Sequence, residues 1–169
     1  MFEVGDYVVY GSSGVCLITA VGPSDCPGMD DSKIYYTMKP CYIRDSSIST
    51  PVDNQRVVLR RVMSEEEARE LLDNFGSIKA IPVVEEKQRE TIYKQALLTC
   101  KPAVIVGLIK TIFGRMEERR AEGKKVTSSD SKYYRIAEDS LCGELVISLG
   151  MDVDELGPYI QSKMQRKAS

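Results

Sequence analysis

The first sixty residues alternate apolar and polar positions with the period of two that is typical of β-strands. This pattern predicts five short strands, near residues 7–10, 15–20, 34–38, 47–50 and 57–60. Small residues at 11–14 and the pair Gly22-Pro23 supply tight turns between them. Five short strands in so few residues predict a small SH3-like or Tudor-like barrel.

The period changes at Ser64. Ser64 and Glu67 have the spacing of a capping box, in which the hydroxyl accepts from the first-turn amides and the carboxylate reaches back. Apolar residues then recur at helical spacing, and we expect Gly76 to end this helix. Ile81-Pro82 predicts an extended linker before the next segment.

The rest of the chain carries wide apolar faces at helical spacing. Pro102 suits the first turn of a helix, and residues 119–129 are interpreted as a charged loop. Gly150 is expected to stop a long helix, while Gly157-Pro158 predicts a last helix that is short or kinked. These stripes comprise Ile92, Tyr93, Ala96, Leu97 and Cys100; Val104, Ile105, Leu108, Ile109, Ile112, Phe113 and Met116; and Tyr134, Ala137, Leu141, Leu145 and Leu149.

The predicted fold class is therefore α+β, an N-terminal SH3/Tudor-like five-stranded β-barrel followed by a C-terminal all-α helical domain. The expected boundaries are 1–63 for the barrel, 64–82 for a connecting helix and linker, and 83–169 for the helical domain. No run of about 20 apolar residues and no signal-peptide pattern is present, which indicates a cytoplasmic protein.

Composition excludes the commonest catalytic chemistries. The chain has no histidine, and its five cysteines are widely spaced with no Cys-x-x-Cys pair. We therefore expect reduced thiols, no metal, no cofactor and no catalytic residue. A carboxylate-based hydrolase could use Glu65, Glu66 and Glu67, but the capping box accounts for these side chains.

The net charge of −2 conceals a basic region. Residues 84–125 hold ten Lys and Arg against six acids, a local excess of four positive charges. Such an excess favours phosphate binding, because Lys and Arg displace counterions from a duplex of any sequence. A solvated helix face explains it equally well.

Several ordered motifs resemble those of CarD-type regulators and of the polymerase-interacting module of transcription-repair coupling factors. Residues 2–10 and 14–18 resemble the family's opening, and residues 35–40 and 50–54 resemble its third strand and its "VPVDN" corner. In the C-terminal half, Tyr93-Lys94 and residues 141–145 resemble the family's Tyr-Lys pair and "L-x-x-E-L" helix. The chain lacks helicase motors, so the resemblance is to the regulators rather than to coupling factors.

The resemblance implies a monomeric bacterial protein, associated with the nucleoid, whose barrel binds the β subunit of RNA polymerase. Its helical domain would contact promoter DNA near the −10 element and stabilise the open complex. The resemblance places the family's polymerase-binding positions at Ser24 and on a strand that contains Ser47, Ile48, Ser49 and Thr50. Because charged side chains are missing there, main-chain pairing at a sheet edge would carry the contact.

The expected DNA-contacting residues are Arg89, Lys94, Lys124 and Lys125. The family typically has a tryptophan wedge four residues before the Tyr-Lys pair, and this chain, which has no tryptophan, has Arg89 there. An arginine can enter a narrow minor groove or bind a phosphate, but it does not unstack bases as an apolar wedge does. The alternative hypothesis is therefore a polymerase-binding adaptor that has lost DNA binding.

Overall fold

The computed structural model describes residues 1–165, and the chain separates into a sheet unit, Met1–Val62, and a helical unit that begins at Met63. The sheet unit contains β1 (Tyr7–Tyr10), β2 (Gly14–Gly22), β3 (Tyr35–Pro40), β4 (Ile48–Pro51) and β5 (Leu59–Arg61). The helical unit contains α1 (Glu65–Asp73), α2 (Arg89–Leu98), α3 (Pro102–Ala121), α4 (Ser128–Leu149) and α5 (Val153–Gln165).

The five strands form one antiparallel sheet in the order β4-β3-β2-β1-β5. Among the described strands, β4 and β5 form the two edges, and each pairs with one neighbour. The buried residues of the sheet pack on one another through Val8, Cys16, Ile18, Tyr36 and Met38. The α+β class and the Tudor-like sheet that the alternating pattern predicts are confirmed, with strand ends displaced by one or two residues.

The capping box predicted at Ser64 is confirmed. The Ser64 hydroxyl accepts from the Glu67 N–H at 3.1 Å, and the Glu67 carboxylate accepts from the Ser64 N–H at 2.7 Å. The helix ends three residues before the predicted Gly76, because Asn74 caps it and a 3₁₀ turn, Phe75–Ser77, follows. Glu67 thus has a role in the helix cap, and Glu65 and Glu66 lie in the same first turn, where acidic side chains favour a helix start.

The helical core joins all five helices, and its largest fully buried side chains include Tyr93, Phe75, Leu108 and Leu145. Residues 64–82, assigned above to a connecting helix and linker, contribute Ala68, Leu72 and Phe75 to this core. Ile81 continues the contact beyond α1: its N–H donates to the Gly107 carbonyl at 3.4 Å and its carbonyl accepts from the Thr111 hydroxyl at 2.8 Å.

Two helix boundaries differ from the prediction. The expected charged loop of residues 119–129 is shorter, since α3 runs to Ala121 and Thr127 caps α4 by accepting from the Asp130 N–H at 3.1 Å. The last helix, predicted to be short or kinked, runs through Pro158 to Gln165, and its Leu156, Ile160 and Met164 are buried in the core. Packing of that apolar face outweighs the hydrogen bond that Pro158 removes. Gly150 ends α4 with a left-handed backbone, as predicted.

Candidate functional site

The strand predicted to bind polymerase lies at an edge of the sheet. Ile48 pairs with Met38 and Ser49 with Thr37, while within residues 1–165 no strand pairs with the other side of β4. An edge strand presents main-chain N–H and C=O groups outward, and these can pair with an added strand. Thr50 as a whole is only 2 % exposed, so Ser47, Ile48 and Ser49 are the residues of this predicted strand that remain accessible to a partner.

Ser24 lies away from that edge. It follows the end of β2, and β3 lies between β2 and β4 in the sheet. Its hydroxyl accepts from the Cys26 N–H at 3.2 Å, which gives the side chain a role within its own loop. The structure therefore brings residues 47–50 together along one edge and leaves Ser24 apart from them.

Two exposed apolar side chains precede β4 and were not predicted as functional. Tyr42 is 52 % exposed and Ile43 is 53 % exposed, in the turn between β3 and β4. Exposed aromatic and aliphatic side chains of this kind often anchor protein interfaces. The signal in the sequence was an apolar pair inside an otherwise polar turn.

Arg89, at the first position of α2, is held by two carboxylates. Its Nη1 donates to Glu86 Oε2 at 3.1 Å, and its Nε lies 3.2 Å from Asp130 Oδ1. Only 18 % of the side chain is exposed. Binding of a DNA phosphate by Arg89 would therefore have to compete with these ion pairs.

Arg115 on α3 contacts the same two carboxylates, so that Arg89, Arg115, Glu86 and Asp130 form one charged cluster. It makes a two-pronged contact with Glu86, Nη1 to Oε1 at 2.9 Å and Nη2 to Oε2 at 3.1 Å, and its Nε donates to Asp130 Oδ2 at 3.3 Å. The hydrogen bond from Arg115 outweighs a small burial effect and, with Arg89, lowers the pKa of Glu86 below its ordinary value. Glu86 is therefore an anion at neutral pH.

Asp130 is the centre of the cluster and is fully buried. Besides the two arginines it accepts a hydrogen bond of 2.9 Å from the hydroxyl of Tyr93, which is itself fully buried. Burial, and then the Asp130 carboxylate, raise the pKa of Tyr93, so this hydroxyl keeps its proton. Tyr93 lies on the first apolar stripe of the sequence, which predicts a buried residue, and its position agrees with that prediction.

Sequence reasoning missed Arg115 and Asp130. The cluster joins residues from α2, α3, α4 and the 3₁₀ turn Glu86–Gln88, and no local pattern links them. One signal was available: Thr127 and Asp130 have the spacing of a helix start, although the region was interpreted as a loop.

The three predicted lysines are exposed and lie on two different elements. Lys94 is on α2, while Lys124 and Lys125 lie in the connection between α3 and α4. Lys124 forms an ion pair with Glu122 at 3.0 Å, and the Lys125 carbonyl accepts from Arg119 Nε at 2.7 Å.

A shallow groove on the first turns of α4 adds two further cations, Lys132 and Arg135, beside the hydroxyls of Ser128 and Ser131. Lys132 Nζ lies 5.5 Å from the centre of the Tyr133 ring, and that ring packs edge-on against Tyr93 of α2 at 5.5 Å. Cations and hydroxyls in one groove are the groups that bind phosphate oxygens.

Within residues 1–165, no helix combines the length and the apolar character needed to cross a membrane. Residues 2–63 match the family model described as the CarD-like/TRCF RID domain. No curated protein sequence matches the chain.

Proposed function

We propose, from the premise that residues 2–63 form a domain of the CarD-like/TRCF RID family, that this chain is a non-catalytic transcription factor of bacterial RNA polymerase. Domains of this family interact with RNA polymerase, and the CarD-like regulators are not enzymes. The family match over the whole sheet unit is the observation that carries the proposal. The resemblance of the C-terminal half to the same regulators stays a prediction.

The polymerase contact is assigned to β4 and the turn before it. The edge main chain of residues 47–49 would pair with a strand of the β subunit, and Tyr42 and Ile43 would bury their exposed apolar surface beside it. Main-chain pairing tolerates the serines at 47 and 49, because it does not depend on charged side chains.

The helical unit is assigned to promoter DNA near the −10 element. Lys94, Lys132 and Arg135 are exposed cations on α2 and α4, whose contact through Tyr93 and Tyr133 brings the two helices together. Their phosphate contacts would be independent of sequence. A higher affinity for melted than for closed promoter DNA would stabilise the open complex without any chemical step.

A polymerase-binding adaptor that does not bind DNA is the second candidate. Its support is the position of Arg89, whose guanidinium already contacts Glu86 and Asp130 where relatives are expected to have a wedge.

One experiment separates the two. The full chain is immobilised to capture purified core polymerase, and its binding to forked promoter DNA is followed by mobility shift with and without polymerase. Capture together with a DNA shift supports the transcription factor. Capture without any shift favours the adaptor, and failure to capture polymerase contradicts both.

A further inference from the structure

The guanidinium groups of Arg89 and Arg115 converge on one carboxylate at the surface. Three nitrogen atoms, one from Arg89 and two from Arg115, lie 2.9–3.1 Å from the oxygens of Glu86. Two guanidinium groups sharing one anion form a fork that suits any small oxyanion with several acceptor oxygens, phosphate above all.

The two carboxylates of the cluster differ in their accessibility. Asp130 is fully buried and fixes both arginines from behind, through Arg89 Nε at 3.2 Å and Arg115 Nε at 3.3 Å. The Glu86 side chain is 67 % exposed. Removing Asp130 would strand charges in the interior, whereas Glu86 can return to water at little desolvation cost.

The charge of the cluster depends on Glu86. Two guanidinium cations face two carboxylates, so the cluster is neutral while Glu86 is in place. When Glu86 leaves, the two arginines retain only the charge of Asp130 and the cluster carries one net positive charge. Arg89 and Arg115 are 18 % and 21 % exposed, so that charge would remain close to the surface and accessible to an anion.

Glu86 lies on an exposed segment that precedes α2. It begins the short 3₁₀ turn Glu86–Gln88, and residues 84–88 are exposed, with Val84 at 92 %. The preceding main-chain anchors of this segment to α3 are at Ile81. A rotation of the turn would therefore release Glu86 without unpacking a helix.

We propose that Arg89 and Arg115 form a phosphate-binding site that Glu86 occupies in the free protein, so that Glu86 is an intrachain competitor for the ligand. The ligand is a phosphate group, supplied either by the backbone of DNA or by a free phosphate compound. The DNA source rests on the proposed function, and the free source does not. Asp130 holds the two guanidinium groups in place while the anion in front of them is exchanged.

The test replaces the Glu86 carboxylate with a neutral side chain of nearly the same size. The variant Glu86→Gln is compared with the wild type and with Glu117→Gln, which removes an equal charge from an exposed glutamate that is paired with Arg120 at 2.7 Å. One arm titrates each full-length protein with pyrophosphate, followed by thermal shift and by the side-chain Nε–H signals of Arg89 and Arg115 in nitrogen-edited NMR. The other arm titrates duplex and forked DNA at several salt concentrations.

We expect Glu86→Gln to bind more tightly in at least one arm. The gain should be about two- to fivefold in Kd, the equivalent of one exposed ion pair. For DNA, the slope of log K against log salt should steepen by about one unit. Adding the ligand that shows the gain, pyrophosphate or a short DNA duplex, should shift the Nε–H signals of both arginines. A gain with pyrophosphate alone identifies free phosphate as the ligand, and a gain with DNA identifies the backbone.

Equal gains in Glu86→Gln and Glu117→Gln would overturn the site, because a general charge effect would explain them. Unchanged affinity in both arms, or arginine signals that do not move, would overturn it as well. Failure of the proposed function would give a different result. The wild type would then not capture polymerase, but the titration with pyrophosphate would still measure anion binding by Arg89 and Arg115.

Discussion

Glu144 on α4 accepts a hydrogen bond from the backbone N–H of Met63, with 2.8 Å between its Oε1 and the nitrogen. One turn later the Ser148 hydroxyl donates to the Met63 carbonyl at 2.6 Å. The start of the helical unit is therefore bound, through both main-chain groups of Met63, to a helix that lies about eighty residues further along the chain. Glu144 is the glutamate of the "L-x-x-E-L" motif, and this contact gives the motif a structural reason.

We predict that Glu144→Ala lowers the free energy of unfolding of the helical unit by about 1.5–3 kcal/mol, because the Met63 N–H loses a charged acceptor in a buried place. Urea denaturation of the full chain, followed by far-ultraviolet circular dichroism at 222 nm, measures it. Glu118→Ala, an exposed glutamate on α3, is the control and should change stability by less than about 0.5 kcal/mol. Equal effects would contradict a specific role for the contact.

Asp130→Asn should be among the most damaging single changes in the helical unit. It removes the buried charge that faces Arg89 and Arg115, and we expect a loss of about 3–5 kcal/mol. Asp139→Asn on the same helix is the matched control, since Asp139 is exposed and lies 3.9 Å from Arg135. Thermal unfolding of both variants checks the prediction, and it fails if their midpoints fall together.

Lys94→Ala should weaken DNA binding without changing the fold, because Lys94 is exposed on α2. The slope of log K against log salt should become shallower by about one unit, uniformly over different sequences. Lys33→Ala, an exposed lysine of the sheet unit, serves as the charge-matched control. An unchanged affinity for Lys94→Ala, with DNA binding intact, would exclude this lysine as a phosphate contact.

Substitutions at Ser47 test whether the β4 edge pairs through its main chain. Ser47→Ala should leave polymerase capture unchanged, because no side-chain contact is proposed there. Ser47→Pro removes one N–H beside β4 and should weaken capture by about tenfold, the equivalent of one lost hydrogen bond. Surface plasmon resonance against core polymerase compares the two, with circular dichroism as the check of folding. Equal binding by both variants would argue against edge pairing at this position.

Stability should decrease at alkaline pH. Burial raises the pKa of Cys142 to about 12 from its ordinary value of 9.0, and burial likewise raises the pKa of Tyr93. Since the folded pKa is the higher one, the contribution of Cys142 is complete below pH 9 and is lost as the pH rises towards 12. The slope is at most about 1.4 kcal/mol per pH unit for one group.

Urea denaturation at pH 7 and pH 10 measures this loss. Cys142→Ala should show a smaller decrease between the two pH values than the wild type does. Cys26→Ala, at an exposed cysteine, should decrease as the wild type does. A pH dependence that is identical in all three proteins would contradict the assignment to Cys142.

Local patterns in the sequence were sufficient for the two classes of secondary structure and their order. The alternation of residues 15–20, the capping box at Ser64 and the stop at Gly150 each depend on neighbours within a few positions. Such features need no knowledge of distant contacts, which is why they were predicted correctly. Where local and distant effects compete, as at Pro158, burial of the α5 face lets the helix continue past the proline.

The tertiary structure alone decided what surrounds the candidate residues. The resemblance implies a DNA contact for Arg89, because the family's tryptophan wedge falls at that position, whereas the structure shows that Arg89 and Tyr93 both contact Asp130 on α4. The partner of each charge in this cluster comes from a different element, and the most distant pair, Arg89 and Asp130, is separated by 41 residues along the chain. Periodicity indicates which side chains share a face, whereas the groups opposite that face depend on how the helices pack. The sequence thus determined the sheet, the helices and the number of Lys and Arg side chains. Only the tertiary structure decided which of these side chains are paired with carboxylates and which are exposed to solvent.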